Sequence, residues 1–441
     1  MNSMTRYAIP ICLAVLLTGV AWSGPAIPPT EISPGPSPGP VVQLSTFLSR
    51  SIITDTIAHY TYRVRFGPGK YDVIGLHRIV METAPFRPAR MEDGVMLLHG
   101  DLLGFEGAFL GNLRSPGVPA QHSVAVYFAQ NGMDVWGIDQ GWTLVPADEN
   151  DPSWAVGWGF DKELRGLDLG LQVARTVRAA TGSGHGPLFL LGWSRGAQMA
   201  LVQAGTQTRR PKGLRSVKGY VYGDCMFKFT DPAMRQAACD FYDDESSRIQ
   251  AGDVLETSGS LFALLGELAR TAPDDPSPVF EGLTNDTAAL VLGSVPFGYP
   301  YAPNYHLVAG EFDAAGLPTG LQYSSPAFFL DWLTGASPYE PLQIEADGDA
   351  IGCERNDVPW DDGFPNITAP ILFIEMAGGA GGDTGHQTLA FLPRADVTEM
   401  RIQLHPDDEA WLDMAHVDMW IADNAPQLLW KPVLDWMQAH R

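Results

Sequence analysis

The chain of 441 residues is short of cysteine and of cations, and each shortage excludes something. Its four cysteines stand at 12, 225, 239 and 353, and no two have C-x-x-C spacing. A thioredoxin-like redox pair is thereby excluded. No His–Cys cluster marks a zinc site either, so no metal is expected. Lys and Arg number 28 against 51 Asp and Glu, a formal net charge of −23. That excess argues against nucleic acid or an anionic membrane as the main partner, since both carry the same sign. Hydrophobic residues make up 45% of the chain, enough for a large buried core.

The first residues stand apart from that core. Arg6 precedes the apolar run Ile11-Cys12-Leu13-Ala14-Val15-Leu16-Leu17, which ends in small residues around Ala21-Trp22-Ser23-Gly24. This is a signal-peptide layout over residues 1–23, favoured over an uncleaved anchor because the run is short for a membrane span. Cys12 lies inside the apolar run, which argues against a lipoprotein site. The mature protein is therefore expected to be secreted or periplasmic, with no stable membrane span. Residues 24–45, with Pro34-Gly35-Pro36-Ser37-Pro38-Gly39-Pro40, read as a stiff linker. Three cysteines remain after the leader, enough for one disulfide and one free thiol.

Along the remainder, two alternating segments at 57–66 and 71–80 read as an antiparallel pair joined across Gly67-Pro68-Gly69. Apolar strands are then expected at 94–98, 134–138, 217–223, 370–375 and 397–404. Helices are expected at 123–130, 161–180 and 426–438. Strands alternating with helices imply a mostly parallel sheet wrapped on both faces. Residues 225–365 interrupt this alternation with helical pieces at 261–270, 286–292 and 327–333 between proline-rich joints. A sheet cannot absorb so long a segment as a plain loop, so it reads as a largely helical cap or lid over the strand ends. Core segments at 46–224 and 366–441 flank it. Its acidic stretch Asp347-Gly348-Asp349, near Asp357, Asp361 and Asp362, lacks the carboxylate a calcium loop needs twelve positions from its start, and reads as a solvated face.

The chemistry concentrates at Gly192-Trp193-Ser194-Arg195-Gly196. This G-x-S-x-G stretch follows the apolar run Pro187-Leu188-Phe189-Leu190-Leu191 and precedes a helical pattern from Ala197. Such a strand–turn–helix elbow lifts a serine hydroxyl above a sheet, and a side chain at either glycine would crowd the turn.

Together with Leu97-Leu98-His99-Gly100 and the tail His416-Val417-Asp418-Met419-Trp420, the elbow makes the chain resemble the α/β-hydrolase superfamily over about residues 55–224 and 366–441. The histidine region is similar to that of acid lipases and other capped esterases. The resemblance implies an α/β-hydrolase fold with Ser194 as nucleophile and His416 as base, His405 being the main competitor. It assigns the oxyanion hole to the backbone N–H groups of Asp101 and Arg195, with the Asp101 carboxylate turned away from the pocket. Two aspartates compete to orient His416. Asp224, at the end of the strand after the elbow, is favoured over Asp383, which follows the glycine run Gly378–Gly382, because a strand end holds a group more firmly. A Cys225–Cys239 bond would pin the start of the cap beside Asp224. Trp193 and Trp142 are candidate pocket walls, with simple packing between core and cap as the other reading of the Trp142 loop. The reading is an exported serine hydrolase of apolar or aromatic carboxylic esters, on a small-molecule or lipid-like substrate, with no cofactor. The same triad also serves an amidase, a peptidase or an acyltransferase, and the fold serves catalytically silent binding proteins. No residue pattern specifies an oligomeric state.

Overall fold

A sheet of ten strands organises the computed structural model, which describes residues 45–382 and 384–441. The expected leader, the linker apart from Ser45, and Asp383 lie outside the described residues. Nine strands run side by side in the order Ser45–Ile52, Ile57–Arg65, Val73–Ala84, Asp134–Asp139, Gly94–Leu98, Leu188–Trp193, Val217–Gly223, Pro370–Met376, Asp396–Ile402. The tenth, Arg87–Pro88, pairs with Val73–Ala84 off this line. The first three pair antiparallel, Val73–Ala84 meets Asp134–Asp139 antiparallel, and every later pairing is parallel.

The inner strands of the parallel part are buried on both faces, while the edge strand Asp396–Ile402 is largely exposed. Gly94–Leu98 and Leu188–Trp193 are buried at every position, as continuous apolar runs in a covered sheet must be. Alternate side chains feed two cores. Val95, Leu97, Phe189 and Leu191 join one cluster with helices Val124–Gln130 and Lys431–Ala439. Met96, Leu98, Leu188 and Leu190 join the other with helices Phe160–Ala180 and Arg195–Gln207.

Segment 225–365 carries five helices among the described residues: Pro232–Gln250, Ser258–Thr271, Asn285–Ser294, Pro326–Leu333 and Leu342–Cys353. It packs onto both faces, sending Phe262, Leu265 and Phe328 to the first cluster and Ile344 and Ile351 to the second. Leu342–Cys353 lies along Pro232–Gln250, and a disulfide joins Cys239 to Cys353. The expected Cys225–Cys239 bond is therefore absent. Cys225 is a free thiol buried in the second core at the end of its strand, while Cys239 faces the C-terminus of the neighbouring helix.

The solvated acidic face expected at 347–349 is also corrected. Asp347 is buried inside Leu342–Cys353 and accepts a hydrogen bond of 2.8 Å from Phe160 N, at the start of helix Phe160–Ala180. That helix opens with unpaired N–H groups, and the carboxylate satisfies one of them.

Candidate active site

Ser194 joins the buried strand Leu188–Trp193 to the helix Arg195–Gln207 with φ 57° and ψ −129°, a conformation that costs a non-glycine residue about 1–3 kcal/mol. The flanking glycines make the turn possible. A Cβ at Gly192 would sit 2.2 Å from Gly196 O, and one at Gly196 would sit 2.3 Å from His99 O and Leu98 O. Gly100 is needed for the same reason, since its Cβ would lie 2.6 Å from the Ser194 Cβ. The turn His99-Gly100-Asp101 is thus laid directly against the serine. Arg195 opens its helix, so its N–H is among those the helix itself leaves unpaired.

Asp224 and His416 meet at the same end of the sheet. Ser194 N donates to Gly223 O at 3.0 Å, so the elbow is tied to the residue before Asp224. Asp224 is fully buried and has φ 45°. Its carboxylate accepts backbone hydrogen bonds from Met376 N (3.1 Å), Ala380 N (2.9 Å) and Gly381 N (2.9 Å). Its Oδ2 lies 2.5 Å from His416 Nδ1. With Nδ1 engaged, Nε2 is the imidazole nitrogen left without a protein partner among the described residues. Ser194 Oγ likewise has no hydrogen-bond partner there. The ring of Trp193, next to Ser194, lies over His416 at 4.8 Å between centroids, and Tyr305 meets His416 edge-on at 5.2 Å.

Both flanks of the histidine are anchored to the insertion. His416 N donates to His306 O at 3.3 Å and Val417 N to Leu307 O at 2.7 Å. Asp418, fully buried, accepts from Ala309 N, Ala415 N and Ser324 Oγ. Burial raises its pKa to about 6, against those hydrogen bonds. Sequence reasoning gave Asp418 no role. An acid among Val417, Met419 and Trp420, all apolar, was the available sign.

Two other histidines expected near the site are engaged elsewhere. His405 Nε2 pairs with Tyr323 OH at 3.0 Å, and buried His99 Nδ1 faces Gly100 O at 2.7 Å. The two candidate pocket tryptophans are corrected. Trp142 is 1% exposed, with its N–H donated to Gln140 Oε1, and packs in the second core. Trp193 is 2% exposed, wedged among His416, Phe109 and Trp420. Both are too enclosed to line a pocket. The half-buried rings beside His416 are instead Tyr305 and, stacked beyond it, Tyr299 and Phe297.

Beside the Asp101 turn the side chains are strongly acidic. The Arg195 guanidinium contacts Glu345, Gln198 Oε1 (2.5 Å) and Asp101 Oδ1 (3.4 Å), so the Asp101 carboxylate is turned toward Arg195. Burial pushes Glu345 up to about 8 and Asp349 up to about 6, with Arg195 opposing in each case.

No family model matches the chain, and no curated protein matches it. Solved structures do. A candidate lipase from Sulfolobus solfataricus aligns with a TM-score of 0.61 at 18% identity, covering 90% of this chain and 99% of that one. A monoacylglycerol lipase from Paleococcus ferrophilus aligns with a TM-score of 0.41 at 12% identity, over 80% and 97% respectively. The first likeness, with the sheet order above, shows that the chain has the α/β-hydrolase fold.

Proposed function

We propose that this α/β-hydrolase fold carries a serine hydrolase of carboxylic esters, favouring apolar or aromatic acyl groups over charged ones. The observation that carries the reading is the Asp224 Oδ2–His416 Nδ1 contact of 2.5 Å at the sheet end where Ser194 occupies its strained elbow. Asp224 fixes the imidazole tautomer, leaving Nε2 to take the serine proton. Ser194 Oγ then bonds to the ester carbonyl carbon, and the carbonyl oxygen becomes an oxyanion held by the N–H groups of Arg195 and Asp101. Collapse breaks the C–O bond to the alcohol, which leaves with the proton from Nε2. Water, deprotonated by the same nitrogen, releases the acid and restores Ser194. The insertion 225–365 acts as the cap, with Tyr305, Tyr299 and Phe297 as acyl-side walls. Export to an oxidising compartment completes the reading, supported by the leader-like N-terminus and the Cys239–Cys353 bond.

A panel of p-nitrophenyl esters of rising chain length, run beside the matching anilides and alternative acyl acceptors, tests this. Ester hydrolysis lost in Ser194→Ala supports it. Turnover of anilides alone, or acyl transfer in place of hydrolysis, would replace the ester reading with the amidase or acyltransferase one.

A further inference from the structure

We infer that Asp101, Glu340 and Glu345 form a binding site for a divalent cation, calcium in preference to magnesium, beside the turn that carries the Asp101 N–H. The three acids come from two parts of the chain. Asp101 follows strand Gly94–Leu98, Glu340 begins the short strand Glu340–Pro341, and Glu345 lies in the first turn of helix Leu342–Cys353. One carboxylate oxygen from each lies within 4.8 Å of the other two. Carboxylates are brought this close in a folded interior only when protons are shared among them or positive charge sits between them.

The protein supplies little of it. Arg195 reaches Asp101 and Glu345, and the nearby Arg248 is committed to Asp253 and Glu256. Glu340 is the telling member. It is 2% exposed, and its Oε2 accepts from Leu102 N at 3.2 Å. Its Oε1 is buried with no N–H or O–H donor among the described residues, and the side chain faces the Asp101 carboxylate, a pairing that needs a proton or a metal ion between the two acids. A carboxylate oxygen enclosed without a donor is strongly disfavoured, and a metal ion among the three acids would satisfy it.

The donor set selects the ion. All three ligands are hard carboxylate oxygens, with no imidazole or thiolate to favour zinc. Magnesium keeps most of its water and is usually held through one or two carboxylates, whereas calcium takes about six to eight oxygens, so three carboxylates within reach of one another fit calcium. The placement also has a consequence for the proposed chemistry. An uncompensated Asp101 carboxylate would oppose an oxyanion forming at its own N–H, and a bound cation reverses the sign of that field.

The test is calorimetric titration of the full chain, stripped with chelator, with CaCl₂ and with MgCl₂, followed by thermal melts. The expected result is one calcium per chain and a rise in Tm that Glu340→Gln abolishes. That variant, close in shape, should melt no lower than the stripped wild type because it removes a buried like charge. Glu345→Gln serves as a second variant and should weaken calcium binding at least about tenfold. Absence of heat and of any Tm shift at about 10 mM calcium would overturn the site, since protons would then neutralise the cluster. Unchanged binding in Glu340→Gln would overturn it equally, and tighter magnesium binding would overturn the choice of ion. None of these readouts requires ester hydrolysis, so they stand apart from the proposed activity.

Discussion

Gly379→Ala should cripple turnover without replacing any group that titrates or reacts. A Cβ at Gly379 would sit 2.1 Å from Asp224 Oδ2, 2.6 Å from its Cγ and 2.7 Å from Oδ1. Ordinary carbon–oxygen contact is about 3.4 Å, so the carboxylate or the Gly379 loop must give by more than about 1 Å. Oδ2 is the oxygen that holds His416 Nδ1 at 2.5 Å, so the shift passes directly to the imidazole. A misplacement of that size costs about 10²-fold in kcat, with KM changed by less than about threefold because no substrate contact is altered. Some stability should go too, about 1–3 kcal/mol, as the N–H groups of Ala380 and Gly381 lose their acceptor. Asp224→Asn sets the scale. It keeps the volume but favours the wrong tautomer, and should lower kcat by about 10⁴. The assay is steady-state hydrolysis of a short p-nitrophenyl ester, with a thermal melt on the same preparation. Wild-type kcat in a folded Gly379→Ala protein would refute the reasoning, and wild-type kcat in Asp224→Asn would remove Asp224 from the mechanism.

Asp383→Asn should leave kcat within about threefold, because the acid position is already filled; a loss near 10⁴ would transfer the role to Asp383. Glu163, 6% exposed, has its carboxyl pushed by burial up to about 7 from 4.5, with Trp158 Nε1 opposing. The folded state therefore holds the proton more tightly than the unfolded chain. Its contribution is complete below pH 4.5 and lost as pH rises through 7, about 2.5 pH units or about 3 kcal/mol by pH 9. Urea melts across that range should show the decline, and Glu163→Gln should flatten it. Reducing Cys239–Cys353, which spans a sequence separation of 114, should cost about 4–5 kcal/mol in the same melts. Cys225, whose thiol burial pushes up, should resist a thiol reagent until the protein unfolds.

The inner parallel strands were legible because each is a short, largely apolar run, and Leu188–Trp193 and Val217–Gly223 lie within a residue of where periodicity puts them. The edge strand Ser45–Ile52 was not, since all eight of its side chains are exposed or half-buried and its pattern carries no buried stripe. Helix Pro232–Gln250 was hidden similarly, with four of its nineteen residues buried and an acidic run through its middle. Local geometry at Ser194 could be read because glycine spacing reports a steric requirement of the backbone itself. The partner of Cys239 could not, because Cys353 lies 114 positions away and is brought near by helix packing. Trp142 shows the converse limit: a loop rich in aromatics has the same composition whether its rings face a pocket or a core.

Labelling the intact protein with a fluorophosphonate and mapping the modified peptide tests the central claim most directly. The account predicts a stoichiometric adduct on Ser194 that is absent from Ser194→Ala and slowed in His416→Ala. An unmodified Ser194 in folded protein, or an adduct on a different serine, would contradict it.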